Sequence, residues 1–318
     1  MIEAIGLEKR YGDMIAVANM GFRVEPGQVL GFLGPNGAGK TTTMRMLSGF
    51  LTPTAGTARI CGHDVAQDPM AARRMLGYLP EGAPSYGEMR VGDFLHFIAA
   101  VRGIEPVRLR QRLDDVVARL GLADVWWQTI ETLSKGFRRR VGLAQAILDD
   151  PPVLILDEPT DGLDPNQKHE VRALIHSMRD KTVIVSTHIL EEVEAVCTRA
   201  IIIDNGRIVA DATPQALLAQ SRFAGAVSVR AAHPSVVRDR LLQLTGIEEI
   251  LVEGDRVVAL PKAGVELQAE IESLLRAQGI VILEISRERG RLDDVFRMLT
   301  TRREDTAGVA PDHSVAAP

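Results

Sequence analysis

The sequence predicts an α/β protein in which helices surround a mostly parallel sheet, followed by a small α+β unit. Short, nearly uninterrupted apolar runs alternate with helical patterns along the first two thirds of the chain. Such runs are typical of strands that are buried on both faces. One of them leads directly into a glycine-rich loop, and the pattern of elements changes after about residue 220.

Three apolar runs support the prediction of a parallel sheet. Residues 29–33 read VLGFL before the glycine-rich loop, residues 153–156 read VLIL before two carboxylates, and residues 182–186 read TVIVS shortly before a histidine. A fourth region, residues 201–210, contains two apolar runs separated by Asn-Gly. Both positions of a two-residue hairpin turn need a positive φ, so this dipeptide predicts a hairpin.

Two further regions have helical or mixed patterns. Apolar residues recur at helical spacing between about residues 88 and 150, which predicts a helical insert within the α/β domain. After residue 220 the order strand, helix, strand, strand, helix, strand predicts a small ferredoxin-like unit. The predicted strands lie near 226–229, 250–252, 256–260 and 280–285, and the predicted helices near 234–244, 267–275 and 292–299. Residues 304–318 lack periodicity and predict a disordered tail.

Composition excludes several classes of protein. The 318 residues carry a formal net charge of -5, whereas a nucleic-acid-binding protein usually has a strongly basic face. Two cysteines are too few for a disulfide framework, so we expect a reducing, cytoplasmic environment. The sequence contains no apolar run of about 18 to 20 residues, the length of a membrane-spanning helix. Any association with a membrane is therefore expected to go through a partner chain.

The glycine-rich loop fits the pattern GxxxxGK[ST] between a strand and a helix. Its glycines allow successive backbone N–H groups to surround phosphate oxygens, and the helix N-terminus adds partial positive charge. In this pattern the lysine reaches the β- and γ-phosphates and the following hydroxyl binds Mg²⁺. The predicted nucleotide-binding residues here are Gly34, Pro35, Asn36, Gly37, Ala38, Gly39, Lys40, Thr41 and Thr42.

An apolar strand that ends in Asp157 and Glu158 fits the Walker B pattern. Asp157 is predicted to hold Mg²⁺ through water, and Glu158 to orient and deprotonate the attacking water. Without the phosphate loop, the simpler interpretation of two carboxylates at a strand end is that they are solvated. Together with the phosphate loop, they predict a nucleotide-hydrolysing site.

Four shorter motifs narrow this prediction. Residues 133–146 read LSKGFRRRVGLAQA and resemble the signature segment of ABC ATPases, whose core reads LSGGQ. Residues 161–164 (DGLD) resemble the D-loop of that family, residues 186–188 (STH) its switch-histidine loop, and residues 9–12 (KRYG) its adenine-stacking A-loop. The resemblance covers residues 1–220 and implies a P-loop NTPase fold with an antiparallel β-subdomain and a helical insert. Residues 221–303 would then form a regulatory or accessory domain.

The resemblance also implies how the site is assembled. Two copies of such a chain bind head to tail, and each ATP lies between the phosphate loop of one copy and the signature segment of the other. Ser134 and Gly136 would then contact the γ-phosphate bound by Lys40 of the second copy. His188 would contact the γ-phosphate, Tyr11 would stack on adenine, and Asp164 would help to link the two sites.

Two segments depart from the pattern of the family. Lys135 and Phe137 replace a Gly and the Gln of LSGGQ, while Ser134 and Gly136 remain. Glu81 occupies the place usually held by the Q-loop Gln, where it can still accept from a metal-bound water. These features, and the C-terminal segment LDDVF, resemble a bacterial branch of single-domain subunits that serve type-2 ABC exporters.

The resemblance implies an ATPase that uses ATP and Mg²⁺ to power a separate integral-membrane permease, with export as the direction. Its expected partners are a second copy of itself and the permease, and it is expected at the inner face of the cell membrane. No nucleic-acid partner is expected. One alternative is a non-transport ABC ATPase that acts on ribosomes or DNA. A second alternative is a binding module that nucleotide only regulates, although Glu158 and His188 favour turnover.

Overall fold

The computed structural model describes residues 1–83 and 85–301, which form two compact units. The first comprises Met1–Ala212 and the second begins at Thr213. The boundary predicted at residue 220 and the insert predicted at 88–150 stay predictions. The disordered tail predicted for residues 304–318 lies outside the described residues.

A six-stranded sheet forms the centre of the first unit. Its strand order is β10-β9-β3-β8-β7-β6, and its pairs are parallel except for the antiparallel edge strand β10. The three apolar runs of the sequence are three adjacent strands of this sheet, so that prediction is confirmed. The strands are β3 (Val29–Leu33), β6 (Leu76–Leu79), β7 (Val153–Asp157), β8 (Thr182–Thr187), β9 (Arg199–Asp204) and β10 (Arg207–Ala212).

The side chains of these strands alternate between two cores. In β7, Leu154 and Leu156 join the core on the helical side, while Val153 and Ile155 join the core under the antiparallel sheet. Burial on both faces explains why the strand sequences are almost continuously apolar. The helices of this unit are α1 (Lys40–Leu47), α2 (Pro69–Arg74), α3 (Val91–Arg102), α4 (Pro106–Leu120), α5 (Lys135–Ile147), α6 (Pro165–Ser177) and α7 (Leu190–Val196), with short 3-10 turns at Ala123–Val125 and Ile130–Thr132.

A second, antiparallel sheet covers the other core, as the family resemblance implied. Its strand order is β2-β1-β4-β5. The register of β1 shifts at three places against β2 and at one place against β4, so the alternation of apolar residues is interrupted. This irregularity explains why periodicity alone did not predict these strands. Their bounds are β1 (Ile2–Tyr11), β2 (Met14–Val24), β4 (Ala55–Ile60) and β5 (His63–Asp64).

The predicted hairpin closes the edge of the six-stranded sheet. Asn205 and Gly206 join β9 to the antiparallel β10, and their φ angles are 47° and 72°. Both turn residues therefore lie in the left-handed region, which Asn and Gly occupy at the lowest cost. The hairpin prediction is confirmed.

The second unit contains a four-stranded antiparallel sheet with the order β12-β13-β11-β14. Its elements follow the predicted order, although the first helix of that pattern ends at Leu241 rather than near residue 244. Its apolar core lies between one face of the sheet and two helices. The elements are α8 (Pro214–Leu218), β11 (Val227–Ala231), α9 (Pro234–Leu241), β12 (Ile247–Glu253), β13 (Arg256–Pro261), α10 (Gln268–Ala277), β14 (Ile282–Arg287) and α11 (Leu292–Thr301). In the described part of the chain, no helix has the length and apolar character needed to span a bilayer.

Candidate nucleotide-binding site

The glycine-rich loop connects the carboxyl end of β3 to the first turn of α1. Gly37 and Gly39 have φ angles of 82° and 100°, which L side chains rarely adopt. At Gly39 a Cβ atom would also lie 2.5 Å from the carbonyl oxygen of Ala16. Glycine is therefore required at position 39 on two grounds, and the loop keeps the N-terminus of α1 open to an anion.

Lys40 points back onto its own loop. Its Nζ donates to the carbonyl oxygens of Gly34 at 2.7 Å and Pro35 at 3.2 Å. Burial lowers the pKa of Lys40, and the nearby carboxylates of Glu158 and Asp157 act against that shift. The ammonium is thus held at the predicted phosphate site, next to the two carboxylates of the β7 strand end.

Asp157 ends β7 and is fully buried. One carboxylate oxygen, Oδ1, accepts from the hydroxyl of Ser186, and the other, Oδ2, has no hydrogen-bond partner among the described residues. Burial raises the pKa of this carboxyl group. A buried carboxylate oxygen without a partner is costly unless something else satisfies it.

A divalent cation would satisfy that oxygen. Carboxylate and hydroxyl oxygens, with water and substrate phosphates, are the ligands that Mg²⁺ prefers. The residues present fit this ion: the unpartnered oxygen belongs to Asp157, the Thr41 hydroxyl lies close to that carboxylate, and Glu81 lies close to the Thr41 hydroxyl. Within residues 1–83 and 85–301, no group of three or more His, Cys, Asp or Glu side chains is placed to hold a metal ion. Phosphate oxygens and water would therefore have to complete the coordination.

Glu158 lies beside His188, with 2.9 Å between His188 Nδ1 and Glu158 Oε2. Burial raises the pKa of Glu158, and the hydrogen bond with His188 opposes that shift. The backbone of Glu158 has a φ of 50°, which is rare for a residue with a side chain. Its N–H donates to the backbone and hydroxyl oxygens of Ser186 at 3.1 and 3.2 Å. Burial and His188 therefore set the pKa of the Glu158 carboxylate, and the bonds to Ser186 hold the backbone that carries it.

A cavity of about 580 Å³ joins these groups. Lys40, Thr41, Glu81 and Glu158 line it, as does Tyr11, which is half exposed at the end of β1. The hydroxyl of Thr41 lies 3.4 Å from Oε2 of Glu81. The remaining lining residues are Met14, Ile15, Ala16, Asn36, Gly37, Gly39, Thr42 and Asn205.

The signature residues lie elsewhere. Neither Ser134 nor Gly136 is among the described residues that line this cavity. The Ser134 hydroxyl caps α5 by accepting from the N–H of Phe137 at 3.3 Å. Asp164 similarly caps α6 in a capping box with Gln167. Within one chain, both residues therefore have structural roles in addition to those the resemblance implies.

Sequence reasoning missed several buried polar groups around the site. Glu192 is buried in α7, and its carboxylate accepts from the hydroxyls of Thr160 and Thr187. It thereby joins the loop after β7 to the residue that precedes His188. Arg139 on α5 is also buried, and it donates to the backbone carbonyl oxygen of Asp157 at the end of β7. Both residues stand among other charged residues, so the local sequence carries no signal for either.

Fold and site together define a P-loop nucleotide hydrolase, and comparisons with known proteins identify the family. The model of the ABC transporter family matches residues 17–161. A Nod factor export ATP-binding protein I from Paraburkholderia xenovorans is 33% identical over 303 residues, which are 95% of this chain and 97% of that protein. A daunorubicin resistance ATP-binding protein from Streptomyces coeruleorubidus is 36% identical over 308 residues, 93% of this chain and 94% of that protein.

Solved structures agree with this assignment. The structure of an ATP-binding subunit of an ABC transporter is 29% identical, with a TM-score of 0.65, and the match covers 69% of this chain and 92% of that one. The dimeric structure of a bacterial ABC transporter cassette shares the fold at 21% identity and a TM-score of 0.63, over 67% of this chain and 99% of that one. This chain belongs to the ATP-binding subunits of ABC transporters, and it is an ATPase of that family.

The contact between His188 and Glu158 leads to a prediction about pH. Glu158 is the predicted general base, and a base works only when it is deprotonated, so activity should fall as the pH drops through the raised pKa of Glu158. His188→Ala removes the hydrogen bond that lowers this pKa. We therefore expect the acid limb of the kcat–pH profile to move to higher pH, whatever happens to the maximal rate.

The profile is measured by phosphate release at saturating ATP. His169→Ala, at an exposed histidine of α6, is the matched control and should leave the acid limb in place. An acid limb that does not move in His188→Ala would show that this contact does not set the pKa of the base.

Proposed function

We propose that this chain powers a separate membrane permease by binding and hydrolysing ATP, and that the direction of transport is export. The family assignment supports the coupling to a permease. The names of the similar proteins, which refer to Nod factor export and daunorubicin resistance, support export. The chain would lie on the cytoplasmic face of the membrane and be attached to it through the permease.

Each site residue has a distinct role in the proposed reaction. Lys40 and the N–H groups of the loop hold the phosphates, and Tyr11 stacks on adenine. Thr41, Asp157 and Glu81 would hold Mg²⁺, which supplies charge neutralisation on the phosphate oxygens when it is bound. Glu158 accepts a proton from the attacking water as oxygen bonds to the γ-phosphorus. The bond from that phosphorus to the β-phosphate bridging oxygen breaks, and ADP leaves.

The absence of signature residues from the phosphate-loop cavity is the observation that carries the proposed dimer. Ser134 is exposed at the N-terminus of a 13-residue helix, a position suited to an anion. It does not line the phosphate-loop cavity of its own chain. A second copy, placed head to tail, would bring this helix end onto bound ATP. Closure would depend on nucleotide because the contact exists only when both copies and ATP are present.

A charge-reversal experiment tests the dimer. In a Glu158→Gln background, which retains ATP, adding ATP should convert monomer to dimer in size-exclusion chromatography with light scattering. Ser134→Glu should abolish this dimer by repelling the γ-phosphate, while each monomer still binds ATP. Ser235→Glu, at an exposed serine in the first turn of α9, adds the same charge and should leave the dimer intact. ATP-dependent dimerisation that survives Ser134→Glu would refute this arrangement.

The segment around residues 85–97 is proposed to contact the permease. Tyr86 and Phe97 are exposed by 60% and 40%, and their rings meet edge to face with centroids 5.5 Å apart. Apolar side chains grouped in this way on a surface are typical of protein interaction sites.

The second unit is proposed to be a ferredoxin-like regulatory or accessory domain spanning residues 221–303. The order of its elements and the antiparallel strand order β12-β13-β11-β14 support that assignment.

A further inference from the structure

Arg139 is a buried cation on α5, and it reaches the backbone on both sides of Glu158. Only 5% of its surface is exposed. Its Nη2 donates to the carbonyl oxygen of Asp157 at 3.1 Å, and its Nε donates to the carbonyl oxygen of Pro159 at 3.2 Å. One planar guanidinium therefore holds the carbonyl group of the residue before Glu158 and that of the residue after it.

The backbone of Glu158 needs such support. Its φ of 50° is a conformation that persists in a residue with a side chain only when the surroundings enforce it. Ser186 of β8 holds the N–H of Glu158 from one side. Arg139 holds the two flanking carbonyl groups, so the strand end is bound to β8 and α5 together.

The charge of Arg139 suits this position. Burial lowers the pKa of its guanidinium, and nearby carboxylates, led by Asp161, oppose that shift. An arginine remains charged under such conditions, and its fork geometry matches two acceptors at once. A side chain with a single donor could not make both bonds.

The helix that carries Arg139 begins at the signature segment. Ser134 caps α5, and Arg139 lies on the second turn of the same helix. Further along, Gly142 packs so closely that a Cβ atom would lie 2.8 Å from the side chains of Leu79 and Ala83. The helix is therefore packed on β6 while its first turns connect the signature segment to the β7 strand end.

We propose that Arg139 is a positioning residue that aligns Glu158 to deprotonate the water that attacks the ATP bound to its own chain. If the dimer of the proposed function forms, the helix that touches one ATP through Ser134 also holds the base that acts on the other ATP. Occupancy of one site would then be transmitted to the base of the second site through a single rigid helix.

Mixed dimers distinguish this role from mere support of the signature segment. A chain with intact Glu158 is mixed with a large excess of a Glu158→Gln chain. Each active chain then pairs with an inactive one, and only one site of the dimer hydrolyses ATP. Arg139→Gln is placed either in the active chain or in the inactive chain, and kcat and KM for ATP are measured. The inactive chain contributes only its signature segment to the hydrolysing site.

We expect Arg139→Gln in the active chain to lower kcat by about 10- to 100-fold with little change in KM, as small displacements of a catalytic group do. The same change in the inactive chain should have a smaller effect. Arg139→Lys, which keeps the charge and one donor direction, should recover part of the rate, and Arg110→Gln, at an exposed arginine of α4, should behave as wild type. Equal slowing from both placements, or greater slowing from the inactive chain, would overturn the proposal.

Failure of the dimer would be recognised separately. In that case the excess of Glu158→Gln chain would not alter the rate of ATP hydrolysis by the chain in which Glu158 and Arg139 are both intact. The kcat of Arg139→Gln is then measured without a second variant chain, and a normal value refutes the proposed role of Arg139. Thermal melts of Arg139→Gln and Arg139→Lys identify any variant that loses rate because it does not fold.

Discussion

Glu158→Gln should bind ATP as tightly as the wild-type chain and hydrolyse it about 10²- to 10⁴-fold more slowly, the usual contribution of a general base. The amide keeps the size of the side chain and can still bond with His188, but it cannot accept a proton from water. Because Glu158 is buried and its carboxylate is next to Lys40, the amide also removes a negative charge close to the phosphates. ATP affinity should therefore not fall.

The measurement combines steady-state phosphate release with equilibrium binding of a fluorescent ATP analogue. Glu170→Gln, at an exposed glutamate of α6, is the control and should retain wild-type turnover. Near-normal turnover in Glu158→Gln would show that another group deprotonates the attacking water.

Lys40→Met should lower hydrolysis by about 10²- to 10³-fold, the effect of removing one donor to a developing anion, and should also weaken ATP binding. Methionine preserves much of the apolar stem, so the loop should keep its packing. The variant loses the positive charge at the proposed phosphate site, which also interacts with the carboxylates of Asp157 and Glu158. Both ground-state binding and the transition state should therefore suffer.

Binding and turnover are measured as for Glu158→Gln. Lys262→Met, at an exposed lysine of the second unit, is the control for loss of a positive charge. If Lys40→Met bound and hydrolysed ATP normally, the loop would not be the phosphate site.

Much of the fold could be predicted because it follows from burial and local backbone needs. Strands β3, β7 and β8 are apolar throughout, since helices cover one face of the sheet and a second sheet covers the other. The turn at Asn205 and Gly206 follows from the φ angles of a hairpin. Strand β1 could not be predicted in this way, because register shifts break its alternation of apolar residues.

The site was predictable where a local motif imposes the geometry and less so where contacts come from distant segments. Gly39 and Lys40 follow from the loop pattern, since the backbone itself surrounds the anion. The bonds of Arg139 to the strand end, and those of Glu192 to Thr160 and Thr187, join residues that are far apart in the chain or on different elements. Nothing in the local sequence distinguishes these charges from ordinary surface charges.

The left-handed backbone at Glu158 has a consequence for how such a chain can evolve. Glycine or asparagine would adopt this conformation at lower cost, so the side chain that we propose as the general base is retained against the preference of its own backbone. Laboratory selection for heat resistance alone would favour replacements at this position and produce durable but inactive proteins. A screen for more robust variants should therefore select for turnover and heat resistance together.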